Sequence, residues 1–362
     1  MLRRILKEAE LIRRPAAAFA AMTLSAALLT ACGGIAGAAE PVSRDEYCLD
    51  TICTVSIYRM EDADGEVKPA AKMKDEAESA MDMAFEYCRE TEDLVSRTRK
   101  GSEISRLNSV GGDWVGVSDD TLKLIEKGLY YSELSGGDFD ITVGGITKQW
   151  DFHAAEGEAK LPDEKELAKE AEHVGWRNVE IDGNRVRLKD PETEIDLGGI
   201  AKGYIGDGMS VILEDAGVKS GTVNLGGNVI CIGGKTDEDD FVIGVETPFS
   251  DRTEIIGKIK ARNKTLVTSG VYERRIEVDG KTYHHILDTE TGWPVDTDLD
   301  AVTLVADIRH SVDADALSTI CLIKGAEEGK KLIESIDDVE GVFVLSDGSI
   351  VTTDGAGFEE NE

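Results

Sequence analysis

Most of the side chains able to do chemistry in this 362-residue chain fall in four polar, glycine-rich clusters. The last is Asp313-Ala314-Asp315-Ala316-Leu317-Ser318-Thr319, where a helix would put Asp315 and Thr319 at i and i+4 on one face. A carboxylate and a hydroxyl are hard oxygen donors of the kind magnesium takes. One or two such ligands are enough when substrate phosphates supply the rest. The same aspartates also fit an ordinary helix N-cap. Upstream, Ile195-Asp196-Leu197-Gly198-Gly199-Ile200-Ala201-Lys202-Gly203-Tyr204 leads into an apolar helical stretch through Leu213. A glycine turn opening a helix presents backbone N–H groups, and here Lys202, to a phosphate; it is equally a plain strand-to-helix turn. A third cluster joins Thr268-Ser269-Gly270-Val271-Tyr272-Glu273 to His284-His285-Ile286-Leu287-Asp288-Thr289-Glu290-Thr291-Gly292. His285 stands there at a strand end, placed to act as a base, as an orienting group or as a structural hydrogen-bonder. The remaining cluster, Ser135-Gly136-Gly137-Asp138-Phe139-Asp140-Ile141-Thr142-Val143, fits a helix C-cap followed by a strand. None is a Rossmann or Walker loop.

The elements that must carry these clusters follow from apolar spacing. Cys53–Tyr58 reads as a strand. Ala77, Ala80, Met81, Ala84, Phe85 and Cys88 repeat at helical spacing within residues 71–95. A second helix opens at Ser118, keeps Leu122, Ile125 and Leu129 on one face, and stops at Gly136-Gly137. Residues 163–174 predict a polar surface helix. Asp-Gly turns predict three hairpins: 179–181 with 186–188, 275–278 with 282–287, and 341–345 with 349–352. Further strands are expected at 222–225, 229–232, 241–245, 256–260, 265–268 and 301–306, and helices at 313–323 and 326–336. Helices and hairpins without regular βαβ alternation make the fold class α+β.

Composition narrows the function. Lys and Arg number 40 against 72 Asp and Glu, a formal net charge of -32. Such a surface repels phosphate backbones, so nucleic acid is excluded as a partner. The N-terminus reads as an export address: Arg3, Arg4, Lys7, Arg13 and Arg14, then an uncharged run from Pro15 to Ala31, then Cys32. Leu29-Thr30-Ala31-Cys32 resembles a bacterial lipobox. Residues 1–31 would then be a lipoprotein signal peptide and Cys32 the lipidated N-terminus. Residues 32–45 would be a tether, and 46–362 the working body. The expected location is the outer face of the cell membrane, or the periplasm if there are two membranes. Since the acidic body would be repelled by anionic headgroups, the acyl chains must do the anchoring. The later cysteines, 48, 53, 88, 231 and 321, form no CxxC pair, which argues against zinc. Cys48 and Cys53 are candidates for pairing, and buried apolar thiols are the plainer reading.

In order along the chain, these clusters resemble the ApbE family, the FAD:protein FMN transferases. The resemblance runs from about residue 46 to about 337 and takes in Leu49-Asp50-Thr51, Ser102–Asn108, GGDFDITV, IDLGGIAKGY, Asn224-Leu225-Gly226-Gly227, TSGVYERR, HHILDTETGWPV and DADALST. It implies a single T-fold-like, internally duplicated body of mixed antiparallel sheets and helices. It also implies an FAD groove with Asp138, Phe139 and Asp140 beside the flavin or adenine. Asp196 and Lys202 would contact the dinucleotide, and Ile286 would pack along it. Leu49 stands where the family often has methionine and Thr98 where it often has a ring. Magnesium would be held by Asp315, Thr319 and the backbone carbonyl of Gly199, a position that is often alanine in the family. His285 matches the family's histidine near the scissile pyrophosphate. Thr289 and Trp293 depart from the family's usual proline and tyrosine.

The implied reaction is magnesium-dependent transfer of FMN from FAD to a threonine hydroxyl of an acceptor protein, a flavin-carrying redox subunit, with release of AMP. Two alternatives use the same groove: an FAD pyrophosphatase in which water replaces the threonine, and a flavin-binding lipoprotein that performs no reaction. No segment of the chain matches the family's acceptor motif, so the acceptor should be another protein.

Overall fold

The computed structural model describes residues 40–155, 157–250 and 254–361. The signal segment, Cys32 and the start of the tether lie outside the described residues. Strands β1 (Val42–Cys48) and β2 (Thr51–Glu61) form a hairpin, and β3 (Val67–Pro69) folds back on β2. Helix α1 (Lys74–Val95) follows, then α2 (Glu103–Ser109), β4 (Val115–Gly116) and α3 (Asp119–Ser135). The short α4 (Gly144–Thr147) and α5 (Glu164–Ala171) precede the hairpin of β5 (Val179–Asp182) and β6 (Arg185–Leu188). Helix α6 (Ala201–Asp215) then leads to β7 (Val218–Leu225), β8 (Asn228–Ile232), β9 (Phe241–Glu246), β10 (Ile255–Ala261) and β11 (Lys264–Gly270). Hairpin β12 (Arg275–Val278)/β13 (Lys281–His284), β14 (Leu299–Asp307) and α7 (Ser311–Glu334) come next. The chain closes with β15 (Val339–Leu345), β16 (Ile350–Thr352) and β17 (Phe358–Glu360).

A nine-stranded sheet ordered β1-β2-β7-β8-β11-β14-β15-β16, with β3 against β2, forms the frame, and all of its pairings are antiparallel. Strand alternation divides its side chains between two faces. Val302, Leu304 and Ala306 of β14 join the core under α7, while Val305 faces the three-stranded sheet β17-β10-β9. On the helical side, α1 and α6 cover β2, β7 and β8 through Phe85, Met81, Ile205 and Met209. Both faces being covered explains why the middle strands read as nearly continuous apolar runs.

Most predicted elements are present, with local causes that the sequence carries. Ser118 caps α3 by accepting from the Thr121 N–H, and Gly136 ends it in the left-handed region at φ 79°. The six predicted apolar positions of α1 are all buried. Helices expected at 313–323 and 326–336 are two halves of α7, broken at Gly325 (φ 77°, ψ 176°), where Asp298 accepts from the Ala326 N–H at 2.9 Å.

Three expectations change. The tether read through residue 45 ends earlier, because β1 starts at Val42. Its inward-facing Arg44 and Glu46 pair with Glu78, Asp82 and Arg89 on α1, so a strand held by ion pairs looks like polar linker. The strand after Gly137 and the strand before Gly198 are absent. Residues 141–143 and 194–196 instead lie side by side with one bridge, Val143 to Glu194, and a bond from the Asp196 N–H to the Ile141 carbonyl at 2.8 Å. The β12/β13 hairpin stops at His284, which releases His285 from the ladder.

Helices α6 and α7 cross at Gly203. A Cβ there would lie 2.2 Å from the Ser311 carbonyl oxygen and 2.6 Å from the Val312 Cα, both of them backbone. Gly203→Ala should therefore cost about 2 kcal/mol or more, because helix axes and not a flexible side chain must move. Thermal denaturation would check this; an unchanged midpoint would mean that the crossing is looser.

Candidate functional site

The crossing of α6 and α7 assembles the polar centre of the molecule. Asp315, in the second turn of α7, is 3% exposed, and its Oδ2 accepts from the Gly203 N–H at 2.8 Å. Burial pushes its carboxyl above the ordinary carboxylate range, against the opposing pull of Lys202, the Gly203 N–H and Asn228. Asn228 opens β8 and is completely buried; among the described residues its Oδ1 and Nδ2 reach no partner in good hydrogen-bond geometry, although the side chain lies beside Asp315. Thr319 is half-buried one turn on from Asp315, and its hydroxyl makes only a long 3.4 Å bond to the Asp315 carbonyl. The floor is tied by Ser269 to Ser318 at 2.8 Å and Thr268 to Thr303 at 2.9 Å.

His285 approaches the same centre from the end of the β12/β13 hairpin. Its Nδ1 sits 3.2 Å from the Arg274 carbonyl, which can only accept, so Nδ1 carries the proton and Nε2 keeps its lone pair. Burial, followed by the positive charges of Arg274 and Lys202, pushes the imidazole below its ordinary range. Lys202 therefore bears electrostatically on both Asp315 and His285. These are the groups that the sequence placed in separate clusters.

The glycine turn before α6 is held from several sides. Asp196 Oδ1 accepts from the Gly198 N–H at 2.9 Å, while Oδ2 accepts from Thr147 at 2.9 Å and from Arg97 at 3.0 Å. The Asp196 carboxylate thus shapes the turn while Arg97 brings in the loop that carries Thr98, an exposed residue. Gly199 lies over the buried Phe139 ring, and a Cβ on it would stand 3.0 Å from that ring. Leu49 is in the left-handed region at φ 54°, close to buried Glu92, whose carboxylate lies 2.7 Å from Arg99. Ile286 is buried in the core beneath the site.

The three residues 138–140 separate into different roles. Asp138 is half-exposed and pairs with Lys324 at 2.6 Å. Asp140 is 6% exposed and fully engaged: Oδ1 accepts from the N–H and hydroxyl of Thr142, and Oδ2 from the Trp176 N–H. It braces the loop from inside.

The residues present fit a hard cation. A buried carboxylate, a weakly engaged hydroxyl and an Asn228 amide without good protein partners form an oxygen-rich spot that the chain alone leaves undersatisfied. Among the described residues no three of His, Cys, Asp and Glu cluster as a metal cage, so the donor set suits magnesium shared with phosphate and not zinc. Sequence reasoning missed Asn228, Arg97 and Thr147. A polar residue opening the apolar run Asn228–Ile232 was a usable signal for the first. Arg97 and Asp196 are 99 positions apart, and nothing local announces their pairing.

The chain is similar to known proteins over most of its length. The sequence model described as "ApbE family" matches residues 49–343. The FAD:protein FMN transferase of Treponema pallidum (strain Nichols) is 31% identical over 340 residues, covering 90% of each chain. The ApbE protein of Thermotoga maritima superposes with a TM-score of 0.76 at 29% identity, over 87% of this chain and 97% of its own. The flavin transferase ApbE of Vibrio cholerae gives a TM-score of 0.71 at 25% identity, over 89% and 96%.

The two aspartates around Phe139 should separate in a stability assay. Asp140→Ala strands three donors and is expected to cost about 3 kcal/mol. Asp138→Ala loses an exposed ion pair worth less than about 1 kcal/mol. Equal losses on denaturant titration would contradict the assignment of Asp140 as the internal brace.

Proposed function

This chain belongs to the ApbE family, and we propose that it transfers FMN from FAD to a threonine hydroxyl of an acceptor protein, releasing AMP, with magnesium at Asp315, Thr319 and the Gly199 carbonyl. The observation that carries the reading is the buried Asp315 carboxylate held at the start of α6 by the Gly203 N–H, with the Thr319 hydroxyl only weakly engaged one turn on and the Asn228 amide unsatisfied nearby. A metal ion at that carboxylate would neutralise charge on the pyrophosphate.

The chain's own groups account for the remaining requirements. Lys202 binds phosphate oxygens at the start of α6. His285 Nε2 takes the acceptor hydroxyl proton as that oxygen attacks the FMN-side phosphorus and the bond to the AMP oxygen breaks. Asp196 holds the Gly198-Gly199 turn at the height the dinucleotide needs. Phe139 and Ile286, both buried, would form an apolar base for the groove, and Leu49, Thr98 and Asp138 would lie along it. Export through residues 1–31 and lipidation of Cys32 would bring this chemistry to redox subunits outside the cytoplasm; among the described residues no helix is long and apolar enough to cross a membrane.

Incubation with FAD, magnesium and an acceptor domain tests the reading directly. Covalent flavin fluorescence on the acceptor together with free AMP is expected. AMP without labelled acceptor would indicate hydrolysis, and FAD binding without either product would indicate a carrier. Asp315→Ala should abolish magnesium-dependent turnover while leaving the circular dichroism spectrum folded, and full activity would remove the metal assignment.

His285→Ala should lower the transfer rate by about 10²–10⁴-fold. Because the imidazole is held below its ordinary range, it stays neutral as pH falls. The wild-type rate should therefore show no acid inflection near the ordinary histidine value of about 6.5. An inflection there that vanishes in His285→Ala would overturn the neutral-base assignment.

A further inference from the structure

Three thiols that the transfer chemistry does not use meet under the β1–β2 turn. Cys48 ends β1, Cys53 lies in β2 and Cys88 lies in α1; they are 3%, 0% and 0% exposed. The Cys88 Sγ is 3.4 Å from the Cys48 Sγ, while the Cys53 Sγ approaches the Cys48 carbonyl oxygen at 3.6 Å. Cys231 and Cys321 are buried in other cores.

We propose that Cys48 and Cys88 are a disulfide-forming pair that locks β1 to α1, with Cys53 as a third, unpaired thiol. The backbone is already positioned for it. β1 runs beside α1 with Arg44 paired to Glu78 and Asp82 and Glu46 to Arg89, so the partners advance in step along strand and helix. Reaching a covalent S–S length of about 2.0 Å asks for roughly 1.4 Å of side-chain movement. Cys53 is the poorer partner: in the β1–β2 register Cys48 faces Thr51 and Cys53 faces Glu46, a diagonal relation whose Cβ atoms lie farther apart than the roughly 4 Å a disulfide spans.

The step balances by thiol–disulfide exchange with an oxidised protein disulfide met during folding, before the thiols are buried. The Cys48 thiolate attacks one sulfur of that disulfide and releases the other as a thiolate. The Cys88 thiolate then attacks the Cys48 sulfur of the mixed disulfide and displaces the oxidant's second sulfur; the two protons lost by Cys48 and Cys88 end on the oxidant, which leaves as a dithiol. The new bond closes the 40 positions between Cys48 and Cys88 and fixes the turn at Leu49 and Asp50, both in the left-handed region.

Folding the full chain with a protein disulfide oxidant, then alkylating free thiols and mapping peptides without reduction, reads the pairing. The expected result is a linked Cys48–Cys88 peptide, with Cys53, Cys231 and Cys321 alkylated on unfolding and the melting midpoint roughly 5 °C above that of the reduced protein. Cys53→Ser should keep both the link and the rise, whereas Cys88→Ser should lose both. Free Cys48 and Cys88 after oxidation, or a Cys48–Cys53 link, would overturn the proposal. Neither outcome bears on flavin transfer, which uses none of these thiols.

Discussion

The hydrogen bond from the Gly203 N–H to Asp315 is the contact on which the site depends. It forms only because Gly203 has no Cβ, which lets α6 lie against the first turn of α7. A charged carboxylate buried to that extent would ordinarily be costly. Here it faces the N-terminal turn of a helix, whose dipole and Gly203 N–H favour negative charge, with Lys202 beside it. The same crossing carries Lys202 toward His285, so one backbone approach brings acid, cation and imidazole together. Asp207 reinforces the crossing from below by accepting from the Ser311 and Val312 N–H groups at 3.0 Å each.

An anionic dinucleotide and a protein of net charge -32 are compatible because charge acts locally. The acidic residues are spread over the surface, where water and salt screen them. Lys202 and Arg274 both bear on His285, and Arg97 pairs with Asp196 at the turn before α6. The global charge therefore bears on solubility, while the few cations near the α6–α7 crossing act locally.

Legibility varied with the range of the interaction. The Ser118 cap, the Gly136 stop, the apolar face of α1 and the Asp-Gly hairpins are set within a few residues, and they appear where spacing put them. β1 was hidden because its inward residues are ions whose partners sit on α1. The strands expected beside Gly137 and Gly198 failed for a related reason. Asp140 and Asp196 spend their oxygens on nearby turn N–H groups and on Trp176, Arg97 and Thr147, and this folds the two segments as braced loops.

What the sequence determined by itself was chemistry and order: which side chains can bind oxygen-loving metal, phosphate and protons, on which kinds of element, and the resemblance that those motifs carry together. Local spacing is enough for this, because caps, turns and helical faces are decided by neighbours along the chain. Only the tertiary structure decided that Lys202 lies near both Asp315 and His285, that Asp140 is a brace, that Asn228 lies beside the buried Asp315 carboxylate, and that Cys48 faces Cys88 rather than Cys53. Each is a meeting across a helix crossing, a sheet edge or a pair of loops, and the close approach of two backbones leaves no trace in either segment alone.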